Sequence, residues 1–222
     1  IATPGGVTHQ SIDDIAIMRV IPNMSVLEVG DATEVESVLD IAHAIDGPVY
    51  VRMLRGEVPR LFDTPMEFNQ ARVLTRAGEN INEPADIVIV TSGICTEEAM
   101  RAVPAMVDRG LKVTHLHVST LKPFSDPTVT AALTSARKGV ITMENHLVTG
   151  GLGSAVAEVM AENAMAVPLS RIGLNDTYAH GASLPYLLKE YQLDARALVD
   201  RAEALTGSSL NIPDSEAIKS SS

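Results

Sequence analysis

Apolar positions along the chain alternate between the two-residue rhythm of strands and the wider rhythm of helices. From Asp13 to Arg19, the residues Ile15, Ala16, Ile17 and Met18 predict a short helix that Ser11 or Asp13 can cap. Pro22-Asn23 marks a turn, and a strand follows from Ser25 to Val29. "GDATEVESVLDIAHAI" reads as a helix: Asp31 or Thr33 can cap it, and Val35, Val38, Leu39 and Ala42 make one apolar face. "GPVYVRML" is a strand bounded by Gly47-Pro48 and Arg55-Gly56.

Residues 59–84 break the pattern, with several prolines and little sustained periodicity, and are expected to form a linker with one or two short strands. A second alternating unit then runs from 85 to 207. Its strands are "ADIVIVTSG", "LKVTHLHVSTL", "VITMEN" and "VPLSRIGLN". Its helices are "CTEEAMRAVPAMVDRG", which Pro104 should kink or shorten, "DPTVTAALTSARKG", "GGLGSAVAEVMAENA", "SLPYLLKEYQL" and "DARALVDRAEALTG". The tail 208–222 is polar and expected to be disordered. Strand–helix alternation of this kind predicts an α/β fold: two units of mainly parallel sheet flanked by helices, one over 1–58 and one over 85–207.

Composition narrows the classes of function. Hydrophobic residues make up 45% of the 222, enough for a packed core, and with aromatics at 3% that core must be aliphatic. A formal net charge of -11 argues against sequence-independent nucleic-acid binding, which needs a basic surface. The single cysteine, Cys95, excludes a disulfide within the chain and a cysteine zinc site. No apolar run approaches the ~20 residues that span a bilayer. No membrane association is expected, and the default location is the cytoplasm.

Several residues carry candidate chemistry. "TGGLGSAVAEVM" (149–160) has the look of a phosphate-cradling turn, but it lacks a third glycine and a Walker lysine, so Gly151 and Gly153 read first as close-packing positions. Glu144, His146, Asp176 and His180 fall at strand ends or in loops that a parallel sheet can gather at one edge, yet their spacing is not that of a metal site and no metal is assigned. His115 and His117 share one face of a strand and read as structural histidines. Cys95 has neither a resolving cysteine nor a basic neighbour in sequence to activate it. His9, in a glycine-rich loop, and Arg55, just past a strand, both sit where α/β proteins place ligands. Together they suit a phosphorylated substrate: arginine offers a permanently charged fork and histidine a transferable proton.

"GGVTHQSIDDIAIMRVIPNMSVLEVGDATEVESVL" resembles the "GPTHQ…IPNM" stretch of the transketolase family of thiamine-diphosphate enzymes. "MENHLVTGGLGSAVAEVM…RIGLNDTYAHGASLPYLLKEYQLDA" resembles the C-terminal domain of the same proteins, so the likeness runs from Gly5 to about Leu205. The wording is nearest to split transketolases, whose shorter second subunit carries the pyrimidine-binding and C-terminal domains.

The resemblance implies that 1–58 is the C-terminal part of a pyrimidine-binding domain and 85–207 a transketolase C-terminal domain. It implies transfer of a two-carbon ketol unit between sugar phosphates. His9 matches the family histidine that binds substrate and serves proton transfer, and Arg55 matches the arginine that binds the substrate phosphate. Where the family has Asp-Gly-Pro before this histidine, the chain has Gly5-Gly6-Val7, which points to a specialised substrate. Thiamine diphosphate and Mg²⁺ are expected to be held mainly by residues outside these 222, upstream or in a partner chain: an N-terminal diphosphate-binding subunit, a second copy, or both. This chain by itself is then expected to be inactive. Two other readings are a non-catalytic oligomerisation or regulatory module of the same fold, and an enzyme like 1-deoxyxylulose-5-phosphate synthase or a 2-oxoacid dehydrogenase β subunit.

Overall fold

The computed structural model describes Ile1 and residues 5–217. A one-turn 3-10 helix, Gly6–His9, leads into α1 (Asp14–Val20), β1 (Ser25–Glu28), α2 (Ala32–Ala44) and β2 (Val49–Arg52). β3 (Arg72–Thr75) lies in the polar interval. Then come β4 (Ala85–Thr91), α3 (Cys95–Asp108), β5 (Val113–His117), β6 (Thr120–Lys122), α4 (Pro127–Ser135) and β7 (Ala136–Leu147). α5 (Leu152–Glu162), β8 (Leu169–Leu174), α6 (Leu184–Glu190), α7 (Ala195–Thr206) and α8 (Asp214–Ala217) complete the order.

The architecture is α/β, with two mixed sheets flanked by helices, of which only the larger is mainly parallel as expected. One has the order β2-β1-β6, with β1 and β2 parallel and β6 antiparallel to β1. The other has the order β3-β5-β4-β7-β8, parallel except for β3 at its edge. The buried strands read as continuous aliphatic runs, Val88-Ile89-Val90 in β4 for instance, because helices cover both faces. Asp31 caps α2 by accepting the Glu34 N–H at 2.8 Å, and its other oxygen accepts the Leu61 and Phe62 N–H groups, both at 2.9 Å. One carboxylate thus starts the helix and anchors the chain that leaves the first sheet.

Several expectations change. The strand expected over 111–121 is divided: β5 stays in the larger sheet, while β6 crosses to pair with β1, so the smaller sheet is completed from the second half of the chain. Residues 136–139, expected to end α4, are instead the first residues of β7. Ala136 pairs with Ala85 and Gly139 with Ile87, and this pairing to a buried strand outweighs their helical composition. α3 runs through Pro104 without stopping at it. The tail expected to be disordered is packed as far as it is described. Leu210 and Ile212 join the core, Arg196 Nη1 donates to Ile212 O at 2.7 Å, and Arg109 grips Glu216 with two bonds of 2.8 and 2.9 Å. Leu210, Ile212 and these arginine bonds hold the polar segment, and α8 packs against α3 and α7. The rest of the tail, 218–222, lies outside the described residues.

Candidate active site

The carboxyl ends of parallel strands from both sheets converge on one cleft of about 280 Å³. β1 delivers Glu28, β2 delivers Arg52, and the turn after β4 delivers Gly93, while His9, Asp14 and Arg55 close it from the neighbouring segments. Both residues singled out in the sequence, His9 and Arg55, therefore line the same opening. Leu147 N–H donates to Ile12 O at 2.8 Å, which ties the loop between His9 and α1 to the end of β7.

His9 is exposed at the rim. Its Nδ1 lies 2.8 Å from Thr8 Oγ1, which is 3.2 Å from Gly5 O. A hydroxyl has one proton: when Thr8 donates to Gly5 O it accepts from Nδ1–H, leaving the lone pair of the neutral ring on Nε2. Glycine at position 5 is required for this arrangement, since a Cβ there would stand 2.5 Å from both Cβ and Cγ of His9. Gly6 takes a φ of 61°, and its own Cβ would press on Gly181 N at 3.1 Å. The Gly5-Gly6 pair thus has a local cause: it makes room for the His9 ring on one side and for the loop before α6 on the other.

The floor of the cleft is a buried charge cluster that sequence reasoning missed. Arg52 Nε donates to Asp14 Oδ2 at 2.8 Å, Nη1 to Glu28 Oε1, and Nη2 to Ser11 O at 2.7 Å and Asn145 O at 3.0 Å. Tyr50 Oη donates to the same Asp14 oxygen at 2.7 Å. Burial alone would pull Arg52 down, but Glu28 and Asp14 outweigh it and hold the guanidinium above its ordinary range. Burial would likewise raise Asp14, yet Arg52 and Tyr50 keep it below the usual carboxylate range. Burial and the bond to Asp14 push Tyr50 up to about 12. The one available signal was strand alternation, which puts Tyr50 and Arg52 on one face of β2.

A second polar cluster stitches the sheets together behind the cleft. Glu34 accepts from Ser119 Oγ at 2.7 Å, from Gly30 N–H at 2.9 Å and from Arg72 Nε at 3.0 Å, and lies 3.0 Å from His117 Nε2. His117 Nδ1 meets Thr96 Oγ1 at 2.6 Å, and His115 Nε2 meets Thr91 Oγ1 at 3.0 Å. Both histidines are fully buried and hydrogen-bonded, as structural histidines are. Burial, helped by His117, lowers His115 to about 3 and keeps it neutral.

The glycine-rich turn before α5 does not fit a diphosphate. Glu144 Oε2 accepts Leu152 N–H at 2.7 Å and Oε1 accepts Gly153 N–H at 2.8 Å, so a carboxylate already fills the anion position. A Cβ on Gly151 would overlap Glu144, and one on Gly153 would crowd Arg171 and Thr142, which is the close-packing role. Glu144 and His146 are buried side by side at 3.8 Å, whereas Asp176 and His180 are exposed, the latter bonded to Tyr191 Oη at 3.0 Å. Among the described residues, no group of three or more His, Cys, Asp or Glu is placed to share a metal ion. Cys95 is buried, and burial pushes its thiol well above the ordinary range. Among the described residues no helix is long and apolar enough to cross a membrane.

The family described as "Transketolase, pyrimidine binding domain" matches residues 2–60, and "Transketolase, C-terminal domain" matches residues 76–198. The chain belongs to the transketolase family, for which a pyrimidine-binding domain implies thiamine diphosphate as cofactor. It is 36% identical over 203 residues to the "6-deoxy-6-sulfo-D-fructose transketolase subunit SqwH" of a Clostridium strain, covering 90% of this chain and 60% of that one. It is 32% identical over 201 residues to a subunit of the apulose-4-phosphate transketolase of Actinobacillus succinogenes, covering 89% and 62%. Among solved structures, a "Split gene transketolase, inactive beta4 tetramer" superposes with a TM-score of 0.79 at 35% identity, covering 93% of this chain and 65% of that one. The chain thus spans about three fifths of the length of these curated relatives.

Proposed function

We propose that this chain is the substrate-binding part of a cytoplasmic transketolase that moves a two-carbon ketol unit between sugar phosphates. The observation that carries the reading is that His9 and Arg55 line one cleft at the carboxyl edge of the strands. When bound, thiamine diphosphate supplies the electron sink for breaking and remaking the carbon–carbon bond at a ketose carbonyl. The glycine-rich turn offers it no diphosphate site. In this reading the diphosphate and Mg²⁺ are held by an N-terminal subunit or another segment, and the two parts assemble as a dimer or higher oligomer. The division into a pyrimidine-binding part (1–58), a linker (59–84) and a C-terminal domain (85–207) belongs to the same reading; the two-part order has the support of the matches to 2–60 and 76–198, the second of which begins inside the proposed linker.

Each residue has a separate task. Arg55, exposed at the rim, holds the substrate phosphate through its fork, so that binding energy remote from the reacting carbons fixes the carbonyl. His9 gives and takes a proton at Nε2 as hydroxyl groups of the substrate change charge. Arg52 has its donors committed to Asp14, Glu28 and two carbonyls, and is left to the framework. The test is Arg55→Ala in the assembled enzyme. KM for phosphorylated substrates should rise about 10- to 100-fold, the value of charged hydrogen bonds, with little change for unphosphorylated ketoses. An equal change for both classes would remove Arg55 from this role.

A further inference from the structure

Among the described residues, two carboxylate oxygens on the cleft floor have no hydrogen-bond partner: Glu28 Oε2 and Asp14 Oδ1. Both residues line the cleft, and their exposures are only 3% and 6%. Each uses its other oxygen on Arg52, so the guanidinium sits between them with its own donors engaged. Buried carboxylate oxygens are costly to leave without a donor. Tyr50 Oη gives its one proton to Asp14 Oδ2 and has none left for either of them. Glu28 is also held in place: a Cβ on Gly93 would come within 2.8 Å of its Oε1, so the turn after β4 packs directly on the carboxylate.

We propose that Glu28, with Asp14 beside it, is the specificity-determining acceptor of the cleft and takes hydrogen bonds from hydroxyl groups of the substrate's polyol chain. This rests on the sugar-phosphate reading above and assigns the other end of the same ligand. Arg55 at the rim favours an anionic head, while the two carboxylates of the floor offer acceptors. A ligand satisfying both ends carries a phosphate at one and hydroxyl donors at the other. The polar interaction that discriminates is the floor's, because a buried acceptor penalises a ligand that brings no donor.

The test uses the assembled enzyme, calorimetric titration and three probes: D-ribose 5-phosphate, ethyl phosphate and thiamine diphosphate. Wild-type protein should bind D-ribose 5-phosphate at least about tenfold more tightly than ethyl phosphate, the worth of one hydrogen bond to a charged acceptor. Glu28→Gln keeps the size and an oxygen for Arg52 but replaces the charged acceptor. It should erase that preference while leaving ethyl phosphate and thiamine diphosphate affinities unchanged. A loss shared equally by both phosphates would make Glu28 structural and overturn the proposal. So would a loss confined to thiamine diphosphate, which would give the floor to the cofactor, or no loss at all. If Glu28→Gln does not fold, the wild-type comparison decides: equal affinity for the two phosphates overturns the proposal. Arg55→Ala separates the two readings. If it changes neither phosphate's affinity while Glu28→Gln still erases the preference, the phosphate assignment falls and the hydroxyl assignment stands.

Discussion

Glu144 and Gly153 meet through a hydrogen bond of 2.8 Å that places a carboxylate at the N-terminus of α5, where a bound anion would otherwise sit. Burial pushes this carboxyl up to about 7, even though the Gly153 and Leu152 N–H groups pull it the other way. In the unfolded chain it ionises near the ordinary glutamate value of 4.5. The folded state therefore holds the proton more tightly, and the stability this confers is present below pH 4.5 and is lost as the pH rises through 7. Glu144→Gln cannot ionise. Its stability relative to wild type should improve between pH 5 and pH 8, on the order of 3 kcal/mol at most, as read by denaturant titration at each pH. A difference independent of pH would show that Glu144 does not titrate in this window.

The Glu34–His117 pair has the opposite sign. Burial would raise Glu34, but His117 beside it and the bonds from Ser119 and Gly30 hold it at about 2, against 4.5 when unfolded. Its contribution is complete above pH 4.5 and disappears as the pH falls through 2. Glu34→Gln should cost on the order of a few kcal/mol at pH 7 and flatten the loss of stability over that acid window. Chemical denaturation at about pH 7 and about pH 3 measures both. Because Glu34 joins α2 to β5 and the Ser119 turn, the variant should also loosen one sheet against the other, seen as faster amide exchange in β6.

Gly93 takes a φ of 53° and faces Glu28 at a distance a methyl group cannot share. Gly93→Ala should cost about 1–3 kcal/mol from backbone strain and crowding. Since the displaced group is the cleft's own carboxylate, affinity for D-ribose 5-phosphate should fall with it. A variant as stable and as tight-binding as wild type would mean that Glu28 moves aside freely.

Much of the architecture was legible because its causes are local. Asp31 three residues before Glu34 reads as a cap, and it caps; the aliphatic run of β4 reads as a buried strand, and it is one. The charge cluster was not legible. Asp14, Glu28 and Arg52 look like a helix start and two strand ends, and their burial comes only from the meeting of two sheets, which no window of sequence contains. β6 was hidden for the same reason: nothing in "VSTLK" says that the chain changes sheets after His117. Leu210 and Ile212 were obscured by the polar residues around them, two apolar side chains being too few to set a period. His9 and Arg55 were singled out by their loop positions and their chemistry, and the resemblance then gave each a separate role.

The closeness of Gly5 to the His9 ring leads to the last prediction. A side chain at position 5 collides with the base of that ring, at 2.5 Å from Cβ and Cγ, so Gly5→Ala must turn His9 away from its bond with Thr8. His9 is exposed, so His9→Ala should cost the fold no more than about 0.5 kcal/mol. If His9 transfers protons at the rim, His9→Ala should lower kcat of the assembled enzyme by about 100-fold, the usual worth of a positioned acid–base group, with thiamine diphosphate affinity nearly unchanged. Gly5→Ala should lower kcat in the same direction through its effect on the ring. The double variant discriminates: with the ring gone only the contact with Cβ of residue 9 remains, and no acid–base group is left to misplace, so Gly5→Ala should lower kcat no further in the His9→Ala background. Additive losses in the double variant would mean that Gly5 serves the site by some route other than the orientation of His9.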